Sequence, residues 1–210
     1  MIKILIADDH AIVRKGLRQI VSDTSDIIVA DEASTGSEVL DKVHDNDYDV
    51  VVLDISMPGG DGLNILKQIK KVKHKIPILV LSIHPEDQYA VRALKAGAAG
   101  YMTKESAPDE LITAIRRVAG GRKYVSSQLA EKLALHLELN SEKKLHESLS
   151  DREYQVLCMI ASGKSVKEIA NEVCLSIKTI STYRTRILEK MQMKGNAALT
   201  HYAIKHGLVE

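Results

Sequence analysis

The chain is expected to fold as an α/β domain on a five-stranded parallel sheet, followed by an all-α domain of four helices that carries a helix-turn-helix. Three observations predict this. Up to about residue 120, short aliphatic runs alternate with longer segments whose apolar residues return every three or four positions, the mark of repeated β-α units. The Gly120-Gly121 pair ends that alternation. Beyond Leu149 the periods are helical throughout, and no run has the character of a strand.

The strands are expected at Ile2 to Ala7, Ile27 to Asp31, Val50 to Leu53, Ile76 to Leu81 and Gly100 to Met102. The third, rich in β-branched residues, reads as a strand buried on both faces. Between and after them come helices at about Ala11 to Ser22, Ser37 to Asn46, Gly62 to Val72, Asp87 to Ala96 and Pro108 to Gly120. Crossovers of that length join parallel neighbours, so helices should cover both faces of the sheet. In residues 123 to 147 the charges balance, and Leu129, Leu133 and Leu137 fall on one helical face, so this linker should contain an amphipathic helix, either docked or solvated. The final segment, 148 to 210, opens with a capping box from Ser150 to Glu153 and a stop at Gly163. A short helix from Val166 to Val173, a turn at Cys174 and Leu175, a long helix capped by Ser176 and a last helix from Asn196 to Gly207 complete it.

Composition bounds the function. Of the 210 residues, 45% are hydrophobic and only 3% aromatic, all tyrosine, so both cores must be aliphatic. With neither a signal sequence nor a membrane-length apolar run, the expected location is the cytoplasm, with no membrane partner. Cys158 and Cys174 have no CxxC spacing and read as buried, reduced thiols. The net charge of +1 conceals an asymmetry: residues 1 to 122 carry 16 basic and 18 acidic side chains, residues 148 to 210 carry 9 and 6. The basic end is the one to test for nucleic acid.

Chemistry collects at the carboxyl ends of the strands, where open parallel sheets place their ligands. The first strand ends at Asp8-Asp9, the third at Asp54, the fourth at Ser82, and Lys104 follows the fifth. In the sheet order 2-1-3-4-5 the first and third strands are neighbours, which brings three carboxylates together. At about 5 Å each pair repels by roughly 3 kcal/mol for an effective dielectric near 20. A hard, oxygen-seeking divalent cation such as Mg²⁺ relieves that repulsion. The same arrangement makes Asp54 a candidate nucleophile toward phosphorus, with Lys104 and Ser82 placed to hold phosphoryl oxygens.

The motifs IADDHAIVRKGL, VVLDISMPGGDGL, ILVLS and GYMTKE, spread over residues 1 to 122, resemble the receiver domain of a two-component response regulator. The resemblance implies that Asp54 is the phosphoacceptor and that Asp9 and Asp54 ligate Mg²⁺, joined by the main-chain carbonyl of Ser56, with Asp8 assisting through water. It also implies that Ser82 and Tyr101 couple phosphorylation to a rearrangement of the face formed by the fourth strand, fourth helix and fifth strand. Ser56 and His84 stand where side chains screen an aspartyl phosphate from water. Lys104-Glu105 departs from the Lys-Pro of many receivers.

In the basic end, the longer helix of the helix-turn-helix should turn Ile180, Ile187 and Met191 inward. Lys178, Thr182, Thr185 and Glu189, flanked by Ser181 and Arg186, lie opposite and can enter a major groove. Lys164, Lys167, Lys178, Thr179 and Tyr183 suit phosphate contacts. Residues 148 to 210 resemble the LuxR-type DNA-binding domain at Glu153, Val156, Leu157, Gly163, Glu168, Ile169, Ala170, Ser176, Thr179, Ile180 and Lys190. Tyr183 replaces the histidine usual in that family. Together the halves resemble a NarL/FixJ-type response regulator.

The joint resemblance implies a partner histidine kinase that phosphorylates Asp54, after which the protein forms a homodimer through the segment around Ala197 to His206 and binds double-stranded DNA. RNA polymerase is a further candidate partner. The expected chemistry is limited to Mg²⁺-dependent self-phosphorylation and autodephosphorylation, without turnover of an external substrate. Two rivals stand beside this: the same fold controlled by partner binding without phosphorylation, and a haloacid-dehalogenase-type phosphatase. The latter needs a second acid two residues after its nucleophile, where this chain has Ser56.

Overall fold

Five parallel strands lie in the order β2-β1-β3-β4-β5, the order the sequence predicts. They are β1 (Ile2–Ala7), β2 (Ile27–Ala33), β3 (Val50–Asp54), β4 (Ile78–Ser82) and β5 (Gly100–Thr103), with α1 (Ala11–Ser22), α2 (Gly36–Asp45), α3 (Gly62–Val72), α4 (Glu86–Lys95) and α5 (Ala107–Ala119) following each in turn. The computed structural model describes residues 1–57, 62–83, 86–127, 129–131 and 144–209. Two compact units divide the chain, Met1–Ala134 and Leu135–Glu210.

Strand periodicity builds the core. Ile4, Ile6, Val50, Val52, Leu79, Leu81 and Met102 share one sheet face, where Leu17 and Val21 of α1 and Leu111, Ile115 and Val118 of α5 cover them. The alternate residues Leu5, Val51, Leu53, Ile78 and Val80 are equally buried, so the central strands are apolar on both faces. Register then aligns the strand ends: Ala7 lies opposite Leu53, and Asp54 opposite Leu81. Gly62 opens α3 against Ile55, whose backbone a Cβ at this position would strike.

Several boundaries shift. β2 continues through Glu32 and Ala33, whose partners on β1 are Ile6 and Ala7. β4 begins at Ile78 because Ile76 N turns back to donate to Lys73 O (3.2 Å) and Pro77 has no N–H, although its carbonyl accepts from Val51 N at 3.0 Å. After Gly121, Tyr124 returns to the sheet: Tyr101 N donates to Tyr124 O (3.1 Å) and Tyr124 N to Ala99 O (3.0 Å). Within the expected linker helix Leu129 is buried, while Leu133 and Leu137 lie outside the described residues, as do His84 and residues 58–61.

The second unit holds, among the described residues, a short 3₁₀ turn (Leu145–Ser148) and four helices, α6 (Asp151–Ala161), α7 (Val166–Glu172), α8 (Ile177–Lys190) and α9 (Asn196–Lys205). Capping boxes start α6 at Ser150 and α7 at Ser165, each with the glutamate three residues on. Gly163, at φ +84°, takes the left-handed conformation that ends α6. Both cysteines are free, as expected, but only Cys158 is buried: Cys174 occupies the exposed turn between α7 and α8 at φ +52°. No helix among the described residues is long and apolar enough to cross a membrane.

Candidate functional site

At the carboxyl edge of the sheet the backbone delivers Asp8, Asp9, Asp54, Ser82 and Lys104 as the strand ends require. Asp8 and Asp54 are fully buried, on the same sheet face as Ile6 and Val52. Lys104 Nζ lies between them, 2.6 Å from Asp8 Oδ2 and 2.7 Å from Asp54 Oδ2. The loop bearing Lys104 is tied to β4, since Lys104 N donates to Ser82 O at 2.7 Å. Ser56 N donates to Asp54 Oδ1 (2.7 Å), and His10 N to Asp8 Oδ1 (2.8 Å).

The charge balance is incomplete. Burial pushes the Asp54 carboxyl above the usual carboxylate range, against the pull of Lys104 and the Ser56 N–H, and the nearby Asp8 adds to the rise. For Lys104, burial alone would favour the neutral amine, but the two carboxylates outweigh it and hold the ammonium above its ordinary value. One lysine therefore serves two buried acids, with Asp9 beside them. Asp8 Oδ2, an ion-pair partner of Lys104, and Asp9 Oδ1, 2.9 Å from His10 Nδ1, are buried yet accept no aligned hydrogen bond.

Ligand atoms of Asp8, Asp9, His10 and Asp54 lie within 4.8 Å of one another, a spacing compatible with one divalent cation. Carboxylate oxygens that lack hydrogen bonds, in a set dominated by oxygen donors, fit a hard ion. His10 offers a ligand atom to this site and Arg14 Nη1 donates to the Asp8 carbonyl behind it, and sequence reasoning singles out neither. His10 stands directly after the two acids, and Arg14 follows one helical turn later; neither shows its role until the loop is folded.

Ser82 and Tyr101 are both fully buried. Tyr101 pairs in register with Val80, so it shares the sheet face of Ser82, opposite to that of Met102. Tyr89, Ala90 and Ala93 give α4 a buried side of its own. The Lys104–Glu105 peptide is trans.

In the second unit, α8 divides as its periodicity predicts. Ile180, Ile187 and Met191 are buried, while Lys178, Ser181, Thr182, Thr185 and Arg186 are exposed and Thr179 and Tyr183 half-buried. The Thr182 and Thr185 hydroxyls donate back to the carbonyls of Lys178 (3.0 Å) and Ser181 (3.1 Å). Lys167 is exposed; Lys164 is half-buried and ion-paired with Glu172 at 2.6 Å. Lys190 Nζ meets buried Glu153 at 2.6 Å, which fastens the end of α8 to the start of α6. Arg184 Nε reaches Asn196 Oδ1 (2.7 Å), joining α8 to α9.

Comparison with known proteins places both units. Residues 4–116 match the response regulator receiver domain, and residues 147–203 match the bacterial regulatory proteins of the LuxR family. The response regulator UvrY of Escherichia coli (strain K12) is 40% identical over 209 residues, 99% of this chain and 96% of that protein. Response regulator GacA of Pseudomonas aeruginosa is 37% identical over 211 residues, 100% of this chain and 99% of its own. Among solved structures, RcsB of Salmonella enterica serovar Typhimurium, bound to promoter rprA in the presence of phosphomimetic BeF3⁻, aligns with a TM-score of 0.67 at 29% identity, over 96% of this chain and 97% of that one. With both family models matched in order along one chain and relatives spanning its length, the chain belongs to the NarL/FixJ-type response regulators, which join a receiver domain to a LuxR-type DNA-binding domain.

Proposed function

We propose that this response regulator takes a phosphoryl group on Asp54 from a partner histidine kinase, with Mg²⁺ bound by Asp9, Asp54 and the Ser56 carbonyl, and answers by dimerising on DNA in the cytoplasm. The observation that carries the reading is the placement of Lys104 Nζ between the buried carboxylates of Asp8 and Asp54, beside Asp9, whose buried Oδ1 accepts no aligned hydrogen bond.

In the transfer, an Asp54 oxygen attacks phosphorus while the P–N bond of the donor phosphohistidine breaks and its electron pair leaves with the imidazole. A P–O bond forms in its place. Held by Asp9, Asp54 and the Ser56 carbonyl, Mg²⁺ would supply charge neutralisation for the incoming phosphoryl group. Lys104 keeps Asp54 ionised before transfer and then pairs with a phosphoryl oxygen, a movement of its ammonium within the same pocket. The Ser82 hydroxyl donates to another, and Tyr101, on the same sheet face, follows the shift of that strand end. Hydrolysis returns Asp54, so the protein's own chemistry is self-phosphorylation and autodephosphorylation.

Binding to double-stranded DNA would use α8 in the major groove, with Ser181, Thr182, Thr185 and Arg186 at base edges and Lys164, Lys167, Lys178, Thr179 and Tyr183 toward phosphates. A small domain with few surplus positive charges binds weakly alone, and a dimer on two half-sites supplies the rest.

Intact mass after incubation with Mg²⁺ and acetyl phosphate tests the proposal, with oligomer size and DNA affinity measured on the same samples. One phosphoryl adduct is expected, absent in Asp54→Ala and accompanied by dimerisation or tighter DNA binding. No adduct in the wild type, or one retained in Asp54→Ala, overturns it and favours control by partner binding.

A further inference from the structure

We infer that Arg14 is the positioning residue of the acidic pocket, orienting Asp9 toward the cation by fixing the peptide plane between Asp8 and Asp9; this rests on the reading of that pocket as a Mg²⁺ and phosphoryl site. Arg14 reaches back from the start of α1. Its Nη1 donates to the Asp8 carbonyl at 2.6 Å, and its Nε to Glu32 Oε2 at 3.2 Å. Its side chain is 17% exposed, unusual cover for a surface-helix arginine. Glu32 also accepts from Arg18 Nη1 at 3.2 Å, so the anchor on β2 is itself held.

Asp8 is consequently gripped at both backbone ends. Its N–H donates to Ala33 O at 3.1 Å, and its C=O is held by Arg14, whose other branch ends on the residue preceding Ala33. The peptide is planar, so fixing the Asp8 carbonyl fixes the Asp9 N–H and Cα. This matters for Asp9 more than for its neighbours. Lys104 and the His10 N–H orient the Asp8 carboxylate, and Lys104 and the Ser56 N–H orient that of Asp54. Among the described residues Asp9 Oδ1 has a nearby imidazole and no aligned hydrogen bond, so its direction comes from the backbone.

A guanidinium bonded to the Asp8 carbonyl could instead act through charge, and the two roles predict opposite signs. Through charge alone, Arg14→Ala should tighten cation binding and Arg14→Lys leave it unchanged. As a positioning residue Arg14 works by its fork, which spans a carbonyl and a carboxylate and which a lysine cannot reproduce. Both substitutions then weaken the cation.

The test is Mg²⁺ titration by calorimetry on the full chain, checked with Mn²⁺ by electron paramagnetic resonance. Expected is a loss in affinity on the order of tenfold for Arg14→Ala and Arg14→Lys, as is usual when a group orienting a metal ligand is removed. Glu32→Gln, which loosens the far anchor, should show a smaller loss. In acetyl phosphate reactions the half-saturating Mg²⁺ should rise while the rate at saturating Mg²⁺ is kept, with unphosphorylated DNA affinity unchanged. If Arg14→Ala does not fold, Arg14→Lys and Glu32→Gln decide. Unchanged or tighter Mg²⁺ binding in the folded variants overturns the positioning role alone. A wild type that binds no Mg²⁺ removes the reading of the pocket, and this inference with it.

Discussion

Two lysine–carboxylate pairs, one in each unit, show how similar ingredients serve different ends. In the second unit Glu153 is buried, meets Lys190 at 2.6 Å, and accepts the Ser150 N–H at 2.8 Å as half of a capping box. Burial would raise its pKa, but those partners outweigh it and hold the carboxyl below the usual range. In the receiver unit one lysine is shared by two buried acids, a third stands beside them, and two carboxylate oxygens accept no aligned hydrogen bond. A matched pair is finished by folding. A surplus of acids is compatible with a divalent cation, and that imbalance distinguishes the cluster from a staple.

The largest expected effect comes from removing the proposed acceptor while keeping its shape. Asp54→Asn should abolish the phosphoryl adduct in the intact mass and leave the second unit's unfolding unaltered. Next is Lys104→Met, which strands two buried carboxylates: a loss of about 3 kcal/mol in receiver stability is expected, with part of it restored by millimolar Mg²⁺ in a denaturant titration. Lys190→Met should cost less, about 1–2 kcal/mol, because the lysine is partly exposed, and Mg²⁺ should have no effect on it.

The same pair gives a pH signature. The folded pKa of Glu153 is depressed below its ordinary 4.5, so its contribution is complete above that value and lost as pH falls through the lowered one. The stability gap between wild type and Lys190→Met should therefore close in acid; a gap independent of pH would mean that packing by the lysine stem, not its charge, holds α6 to α8. Smallest is Lys167→Ala, expected to weaken DNA binding evenly across sequences and to reduce the slope of log affinity against log salt by about 1. An unchanged slope would place Lys167 off the phosphate backbone.

Much of the architecture was legible because it rests on period and punctuation. Val50 to Leu53 reads as a buried strand from composition, and the acid after it follows from where strands end. Ser150, Ser176 and Gly163 mark helix ends in ways that local backbone chemistry enforces. The illegible part depends on partners far apart in the chain. Arg14 contacts Glu32 only because β2 lies beside β1, and nothing in the spacing of the two residues announces it. The ion pair of Lys164 with Glu172, at the two ends of α7, is likewise not announced by the sequence. Cys174 reads as buried by residue type, yet the helix-turn-helix puts it at the exposed bend.

The return of Tyr124 to β5 has a consequence for the protein's solubility. A terminal strand of a sheet offers a row of amide groups to any passing chain, and such edges nucleate self-association. Here the Tyr101 N–H, in the middle of that short edge, already donates to the Tyr124 carbonyl, and the tyrosine is moored through its hydroxyl to Glu110 at 2.6 Å. A single residue past the last receiver helix thus shields the flank of the sheet against edge-to-edge growth.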